Sequence, residues 1–408
     1  MQICINLQHV NTNKIFMNSL KKIKKAKIAT QLIFLVCGLG LSSWAPMVPI
    51  VKNNLNLNEA NLGVVLLMLG LGALIMMPIS GYLINRFGSR KIIAIGTIVI
   101  AITLPVLLIT PSYYGILLTL FVFGCGVGTV DVAMNSHGIQ VQNTFEKQIM
   151  SSLHGLFSVG GIIGSLGLGL LIKMGLSPLL SAIVISITLI ILIISQYKNL
   201  FDYQFEKDTI NRFIEKTEKE ENNNSKSFQW LNKTVLLLGF MCFTVFLSEG
   251  AMLDWSALFL KNTKSVAVEF AGIGYAFFSI SMAIMRLLGD KLVEKLNSKI
   301  IVIGGSILSI IGLFFMVFSF YIPLVLIGFV LLGIGASNIV PIFFSEGGRI
   351  SGISPNISIP AITTMGYAGQ LVGPALLGFI AHLYTMEIAF ITIAGLMLLV
   401  AIIYSLKK

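Results

Sequence analysis

The sequence predicts an all-α integral membrane protein, with twelve transmembrane helices arranged as two pseudo-symmetric six-helix bundles. The first observation is composition: of 408 residues, 56% are hydrophobic and only 11% are charged, whereas a soluble domain carries about 25% charged residues. The second is that twelve apolar stretches each approach the ~20 helical residues that cross a bilayer core. The third is that one long charged segment divides these stretches into two sets of six.

The twelve predicted helices follow the apolar stretches in chain order. They cover residues 28–51, 62–84, 92–110, 113–137, 150–172, 176–196, 233–258, 269–289, 300–319, 321–345, 357–381 and 387–406. They divide the chain into a basic cytoplasmic tail at 1–27, an N-terminal six-helix bundle at 28–196, a cytoplasmic linker loop at 197–232 and a C-terminal six-helix bundle at 233–408.

The two segments outside the bundles are polar. Residues 1–16 are predicted to be poorly structured, and Met17 could be the true start of the protein. The linker carries alternating Lys and Glu around Asn222–Ser225, a composition that stays solvated instead of packing. Aromatic residues among the charges near Phe201–Phe213 allow an amphipathic helix at the membrane surface.

The distribution of the net charge of +11 predicts the orientation of the chain. Four lysines would face one side of the membrane: Lys52, Lys173, Lys261 and Lys264. Arg286 lies within a predicted helix, and the other 23 of the 28 Lys and Arg residues fall on the side of the linker and both termini. Cytoplasmic segments carry such an excess, so both termini are predicted to be cytoplasmic. The charge therefore indicates anionic lipid head groups, and not nucleic acid, as partners.

The sequence offers no constellation typical of an enzyme. The cysteines Cys4, Cys37, Cys125 and Cys242 lack metal-ligand spacing, and cysteine inside an apolar helix is usually a small packing residue. The glycine run at 124–128 lies within an apolar span and not between a strand and a helix, so it predicts packing and not nucleotide binding. We therefore expect no enzymatic activity, no metal, no cofactor and no ATP-driven pumping.

The two halves carry a weak internal repeat. The segment Leu83–Gly96 after the second helix matches Leu292–Gly304 after the eighth, with one residue deleted. The fifth and eleventh helices also share a glycine spacing, which comprises Gly160, Gly164 and Gly169 in one and Gly369, Gly373 and Gly378 in the other. Two matches at corresponding places favour duplication of a six-helix unit.

The turn after the second helix is glycine-rich and basic, and reads Gly81-Tyr-Leu-Ile-Asn85-Arg86-Phe-Gly88-Ser-Arg90-Lys91. It resembles the loop motif of the major facilitator superfamily, Gly-x-x-x-Asp-Arg/Lys-x-Gly-x-Arg-Arg/Lys. The resemblance implies the major facilitator fold and a cytoplasmic gating loop made of Gly81, Asn85, Arg86, Gly88, Arg90 and Lys91. The family's Asp takes part in a charge network that closes the cytoplasmic side, and Asn85 can keep a hydrogen bond but not that charge.

Six further segments lie along the predicted helices. They are Trp44-Ala-Pro-Met-Val-Pro49, Asp131-Val-Ala-Met-Asn135, His154-Gly-Leu-Phe-Ser-Val-Gly-Gly161, Glu249-Gly-Ala-Met-Leu-Asp-Trp-Ser256, Gly335-Ala-Ser-Asn-Ile-Val-Pro341 and Gly366-Tyr-Ala-Gly-Gln370. Together they resemble the MosC-like (rhizopine transport-like) branch of the superfamily. The resemblance implies a secondary transporter and does not fix its substrate.

Ionisable groups inside membrane helices are expensive, by about 2.5–3.5 kcal/mol on insertion scales, and indicate function. Asp131 shares a helical face with Gly124, Gly128 and Asn135, so we predict that it faces the bundle interior. It is a candidate proton carrier or substrate ligand, and the alternative is an acid bonded to a neighbouring helix. His154 could pair with Asp131 or Asn135, or be a hydrogen-bonded structural residue.

The second half supplies further candidates. Glu249 lies well inside the seventh helix and is a coupling candidate, whereas Asp254 is predicted to be interfacial. Asn338 and Gln370 could recognise hydroxyl or amide groups or join helices. Trp44, in the first half, could stack on a ligand or lie against lipid or a partner helix.

Three other charged residues, Arg286, Glu346 and Arg349, are predicted to lie near cytoplasmic helix ends, as a salt-bridged gate or as surface charges.

The sequence therefore predicts a secondary active transporter of a small polar solute by alternating access. Asp131 or Glu249 could couple this transport to protons, because a carboxyl group in a low dielectric can take up a proton near neutral pH. The alternatives are a multidrug exporter of the same fold and a membrane sensor or scaffold that moves no solute. We expect a monomer in the bacterial cytoplasmic (inner) membrane.

Overall fold

The structure is a computed structural model that describes residues 2–57, 59–218, 231–267 and 272–407. The predicted solvated run Asn222–Ser225 and the predicted start of the eighth helix at residue 269 lie outside these ranges. The α-helices are α1 (Gln2–Ser42), α2 (Val48–Asn54), α3 (Glu59–Phe87), α4 (Ser89–Ile109), α5 (Tyr113–Phe145), α6 (Met150–Lys173), α7 (Pro178–Tyr197), α8 (Tyr203–Glu218), α9 (Lys233–Asn262), α10 (Ile273–Phe318), α11 (Ile322–Ala336), α12 (Ile339–Gly347), α13 (Pro355–Leu383) and α14 (Met386–Leu406).

The predicted twelve membrane crossings are confirmed. Within the described ranges, ten helical segments are long and apolar enough to cross a membrane. One of them, α10, holds two crossings that meet at Asn297, whose φ of 61° takes the chain out of the helix, a conformation that asparagine tolerates better than most residues. Helix α13 adds a crossing of 29 residues. The first bundle comprises α1 to α7 and the second comprises α9 to α14.

The first helix differs from its prediction at both ends. Residues 1–16 were expected to be poorly structured, but α1 begins at Gln2, and no Gly or Pro precedes Gly38 to break it. The helix predicted to continue to residue 51 is instead interrupted by a 3₁₀ turn at Ala45–Met47. Pro46 causes the interruption, because it lacks the N–H that a continuous helix would use.

Close helix contacts occur at matching glycines in the two bundles. A Cβ atom on Gly160 of α6 would collide with the carbonyl oxygen of Leu35 in α1. A Cβ atom on Gly369 of α13 would collide in the same way with Phe243 of α9. Such backbone approach is what small residues allow between membrane helices. The third glycine of the repeat in the first half differs, because nothing lies within 4 Å of the Cβ position of Gly169.

The linker begins with helix α8, which corresponds to the amphipathic helix predicted near Phe201–Phe213, and it packs on the N-terminal bundle. Glu206 is only 2% exposed and accepts hydrogen bonds from the backbone N–H (2.9 Å) and the hydroxyl group of Ser89, the first residue of α4. The N–H of Phe201 donates to Nε2 of His137 at 3.0 Å. These bonds attach the linker to the first bundle, and we call the side of the molecule that carries α8 the linker face.

The attachment of α8 is expected to depend on pH. Burial raises the pKa of Glu206 to about 7, which the hydrogen bonds from Ser89 only partly oppose. A carboxyl group whose pKa is raised in the folded protein stabilises the fold most at a pH below its ordinary pKa. This stabilisation is lost as the pH rises through the folded-state value of about 7. We therefore expect the unfolding temperature of the wild type to rise relative to Glu206→Gln as the pH falls from about 8 to about 5. Asp208→Asn, which changes an exposed acid of the same helix, is the matched control. Parallel pH profiles for the wild type and Glu206→Gln would contradict this assignment.

Candidate functional site

A buried polar cluster joins α5 and α6 in the first bundle. Asp131 is 5% exposed and Asn135 is fully buried. The Asn135 side-chain amide donates to the Asp131 backbone carbonyl at 2.9 Å, which leaves its Oδ1 atom facing Nε2 of His154 at 3.1 Å. Because Oδ1 can only accept, Nε2 carries the hydrogen in this arrangement. His154 therefore pairs with Asn135, one of the two partners predicted for it, and its ring packs against Phe34 and Phe344.

Asp131 also reaches the second bundle. Tyr367 on α13 lies close enough to the Asp131 carboxyl group to interact with it electrostatically. Among the described residues, the Oδ2 atom of Asp131 has no hydrogen-bond partner, although it is buried. Asp131 is thus a buried acid at the junction of the two bundles, with one oxygen atom available.

The second bundle contains a buried ion pair. Glu249 of α9 and Arg286 of α10 approach to 2.8 Å, and their side chains are 17% and 8% exposed. Nε of Arg286 donates to the Ser337 carbonyl oxygen at 3.1 Å, and its NH1 group lies 3.5 Å from the Ser158 hydroxyl of α6. A buried ion pair needs such additional hydrogen bonds to offset its desolvation. The pair therefore also contacts the opposite bundle.

The placement of Arg286 corrects a prediction. Arg286 was expected near a cytoplasmic helix end, with Glu346 and Arg349, but it lies inside the bundle beside Glu249. The other two lie at the linker face, where Glu346 pairs with Lys407 and Nε of Arg349 donates to Asn143 at 3.0 Å.

A proline provides the acceptor that holds Arg286. The tenth predicted helix, 321–345, is in fact split into α11 and α12 around Asn338. Pro341 has no N–H to donate to the carbonyl oxygen four residues earlier, which belongs to Ser337. That oxygen is therefore free to accept from Arg286. Pro341 therefore interrupts the helix and leaves a backbone acceptor for Arg286.

Replacing Pro341 is expected to loosen the ion pair without unfolding the protein. In Pro341→Ala, the new N–H competes with Arg286 for the Ser337 oxygen and favours a continuous helix. We expect an unchanged or higher unfolding temperature together with a transport rate that is several-fold lower. Pro105→Ala removes a proline inside α4, away from the pair, and serves as the control. Wild-type transport in Pro341→Ala would contradict a positioning role.

The other predicted site residues are dispersed. Asn338 donates to the Met285 carbonyl oxygen at 3.1 Å and to the Ser337 hydroxyl group, so it joins α12 to α10. Gln370 is half-buried and lies against Gly250. Trp44 is 5% exposed, and its indole N–H finds no acceptor within the described chain. Among the described residues, none of these three side chains forms a hydrogen bond with Asp131.

The predicted gating loop contacts the second bundle through Gly81, and its two arginines contact aromatic rings of its own bundle. A Cβ atom on Gly81 would meet Pro360 of α13, and Gly88 has a φ of 84°, where glycine carries no steric penalty. Arg86 stacks over Phe87 at 5.3 Å and Arg90 over Tyr197 at 4.7 Å.

Asn85 and Lys91, the remaining residues of that loop, are exposed. The loop therefore shows aromatic contacts and no charge network across the bundles among the described residues.

The two bundles are joined by hydrogen bonds at the linker face. The Ser136 hydroxyl donates to Asn356 at 2.5 Å, and the side-chain amide of Asn143 donates to the Gly348 carbonyl oxygen at 3.3 Å. The Ser345 hydroxyl donates to Gln142 at 3.3 Å. The linker face is therefore closed, and these contacts must break if the site is to open on that side.

Two related bundles around buried charges define a membrane transporter. The family model "Major Facilitator Superfamily" matches residues 32–348, so the chain belongs to the major facilitator superfamily.

Known membrane transport proteins resemble this chain over nearly its full length. An uncharacterised MFS-type transporter of Yersinia pestis is 38% identical over 375 residues, which are 92% of this chain and 94% of that protein. The membrane protein MosC of Rhizobium meliloti is 31% identical over 365 residues, 89% of this chain and 84% of MosC. The crystal structure of the fucose:proton symporter FucP of E. coli superposes with a TM-score of 0.70 at 12% identity and covers 94% of this chain and 98% of FucP. The predicted resemblance to the superfamily and its MosC-like branch is confirmed.

Proposed function

We propose that the protein is a secondary active transporter that moves a small polar solute by alternating access and couples this movement to protons. The observation that supports the proposal is that each bundle holds a buried acid whose contacts extend to the other bundle. Asp131 meets Tyr367 across the interface, and the partner of Glu249, Arg286, reaches Ser158. A change of charge at either acid would therefore alter the contact between the bundles.

Asp131 is the proposed proton carrier. It has no cationic partner among the described residues, and a charge in the membrane interior is costly. Binding a proton removes that charge and weakens the electrostatic interaction between the carboxyl group and the Tyr367 side chain. Loading and release of one proton would thereby favour different arrangements of the two bundles.

Glu249 has a different proposed role. Its pairing with Arg286 keeps the two side chains neutral as a unit, so the pair can offer both a donor and an acceptor to a solute without leaving a charge unbalanced. The fold is shared with FucP, which is described as a fucose:proton symporter. This likeness supports proton coupling as the proposal to test first.

A two-stage experiment tests the function. Purified protein is first screened with polar solutes for an increase in unfolding temperature, since a ligand that binds only the folded state stabilises it. The solutes that stabilise it are then assayed for flux in proteoliposomes. We expect at least one polar solute to bind and cross. Stabilisation by solutes that never cross the membrane would favour a sensor, and binding restricted to apolar cations would favour multidrug export.

The chain is a multi-pass membrane protein, and we propose that both termini and the 197–232 linker face the cytoplasm of a bacterial cell. The excess of Lys and Arg at the linker face supports this orientation. Alkaline phosphatase fused at Lys408 or within the linker is expected to be inactive, whereas a fusion after Lys173 should be active. The opposite pattern would reverse the orientation.

A further inference from the structure

The linker helix α8 covers the turn between α3 and α4. The Tyr203 hydroxyl group donates to the backbone carbonyl oxygen of Asn85 at 3.4 Å. A Cβ atom on Gly88 would lie 3.1 Å from Tyr203 and 3.2 Å from Glu206. The backbone N–H and the hydroxyl group of Ser89 donate to Glu206. These contacts place α8 directly on the turn.

The turn is exposed except where α8 covers it. The side chains of residues 85–87 are exposed, whereas Gly88 and Ser89 are buried. Two helical turns earlier in α3, a Cβ atom on Gly81 would meet Pro360 of the second bundle. A change in how firmly α8 holds the turn would therefore act on a helix that meets the second bundle.

Apolar side chains anchor the segment that precedes α8. Leu200 is 2% exposed and Phe201 is fully buried. The Phe201 ring packs against Phe205 at 4.5 Å and against the ring of His137 in α5 at 5.3 Å. Nε2 of His137 accepts from the Phe201 N–H, so this nitrogen carries no hydrogen and the ring is neutral in the attached arrangement. These contacts fix the start of α8 and leave the rest of the helix able to move about this anchor.

The contact of α8 with α1 lies at the surface. Nζ of Lys22 lies 3.3 Å from the Asp202 carboxylate, and the two side chains are 46% and 43% exposed. The same nitrogen lies 4.2 Å from the centre of the Phe205 ring. Ion pairs at such exposure contribute little, because water and salt screen them. The buried contact between Glu206 and Ser89 is therefore the main polar attachment of the body of α8.

The charges near Glu206 come from both ends of this attachment. Asp202, just before α8, disfavours ionisation of Glu206, whereas Arg90 of α4 favours it. Asp202 itself stays ionised at neutral pH, because a backbone N–H of α8 donates to its carboxylate at 2.9 Å and lowers its pKa. Lys22 of α1 pairs with Asp202 and not with Glu206. Glu206 is therefore the acid at this attachment whose charge changes near neutral pH.

Ionisation of Glu206 opposes the attachment of α8. Burial raises the pKa of its carboxyl group to about 7. Among the described residues this group has hydrogen bonds but no ion pair, and a buried charge without a pair is costly. Detachment exposes the group to water, where the ordinary pKa of 4.5 applies. Attachment is therefore strongest at acidic pH and weakens as the pH rises.

We propose that α8 is a pH-operated clamp on the turn between α3 and α4. At acidic pH on the linker face, Glu206 holds the helix on the turn. As the pH rises through neutral, the helix swings away about its anchor at Phe201 and the turn becomes mobile. The clamp goes beyond the transport function proposed above, because it needs neither a solute nor a coupling proton.

Distance measurement between α8 and the first bundle tests the clamp. Spin labels are placed on cysteines at Asn211 of α8 and Lys147 of the first bundle, both exposed, in the full chain with its four native cysteines replaced by serine or alanine. We expect the ratio of long to short distances to rise by at least about tenfold from pH 5 to pH 8, because attachment raises the pKa of Glu206 from 4.5 to about 7. Glu206→Gln cannot ionise and should keep the short distance at both pH values.

A single spin label at Asn85 tests the effect on the turn. Its rotational mobility should increase from pH 5 to pH 8 when Glu206 is present and stay low in Glu206→Gln. Asp208→Asn changes an exposed acid of the same helix, and it should respond to pH as the wild type does in both measurements. An equal pH response with and without Glu206, or an unchanged mobility at Asn85 while the distances lengthen, would overturn the clamp.

A second variant keeps the test decisive if Glu206→Gln does not elute as a monodisperse species. Ser89→Ala leaves Glu206 in place but removes the hydroxyl group that donates to it, so the distances should lengthen already at pH 5. In that case Ser89→Ala decides alone. Distances at pH 5 equal to those of the wild type would overturn the proposal, as would wild-type distances that do not change between pH 5 and pH 8.

Discussion

Replacing Arg286 by methionine is expected to destabilise the folded protein by about 3–5 kcal/mol, because it leaves Glu249 as an unpaired buried charge. Transport should be lost at the same time, since the Ser337 carbonyl oxygen and the Ser158 hydroxyl group also lose their contact with the guanidinium group. Thermal unfolding in detergent measures the first effect, and solute flux in proteoliposomes measures the second.

The double variant separates the two roles of the pair. Replacing a buried ion pair by neutral side chains of similar size is often close to neutral for stability. Glu249→Gln combined with Arg286→Met should therefore recover most of the lost stability while transport stays absent. Lys291→Met, which removes an exposed cation of the same helix, is the control for both measurements. If Arg286→Met alone has the wild-type unfolding temperature, Glu249 is not held by this pair.

Replacing Asp131 by asparagine is expected to abolish uphill accumulation of solute and to preserve exchange. The amide keeps the size and the polarity of the carboxyl group but cannot bind and release a proton. A carrier that no longer binds the coupling proton can still move the solute down the solute's own concentration gradient. It can also exchange solute molecules across the membrane. The measurements are accumulation driven by an imposed pH gradient and counterflow of labelled solute in the same vesicles.

Asp254→Asn provides the matched control for this variant, because Asp254 is an exposed acid toward the C-terminal end of α9. Its accumulation should equal that of the wild type. Full accumulation in Asp131→Asn would make Asp131 a structural residue, and loss of monodisperse elution would point to the same conclusion.

The sequence predicted the fold because the membrane imposes simple constraints on it. Apolar length specifies each crossing. The repeated glycine spacing indicated a duplicated unit, and the structure shows matching close helix contacts at Gly160 and Gly369. Helix continuity was harder to predict. The effect of Pro341 becomes evident only when the freed Ser337 oxygen is seen to accept from Arg286.

The site was predicted residue by residue, but the partners of these residues were not. The principle that membrane-embedded acids indicate function singled out Asp131 and Glu249, and whether either carries a proton stays a prediction. Their partners Tyr367 and Arg286 are distant in sequence, and a single sequence contains no signal for such pairing.

Solute-driven proton movement tests the central claim most directly. Wild-type protein is placed in proteoliposomes that contain a trapped pH-sensitive dye, and the identified solute is added outside in the absence of a pH gradient. The account predicts that the added solute changes the internal pH, that a protonophore abolishes this change, and that the Asp131→Asn variant shows exchange of solute without it. Solute flux in the wild type with no accompanying proton movement would contradict proton-coupled transport.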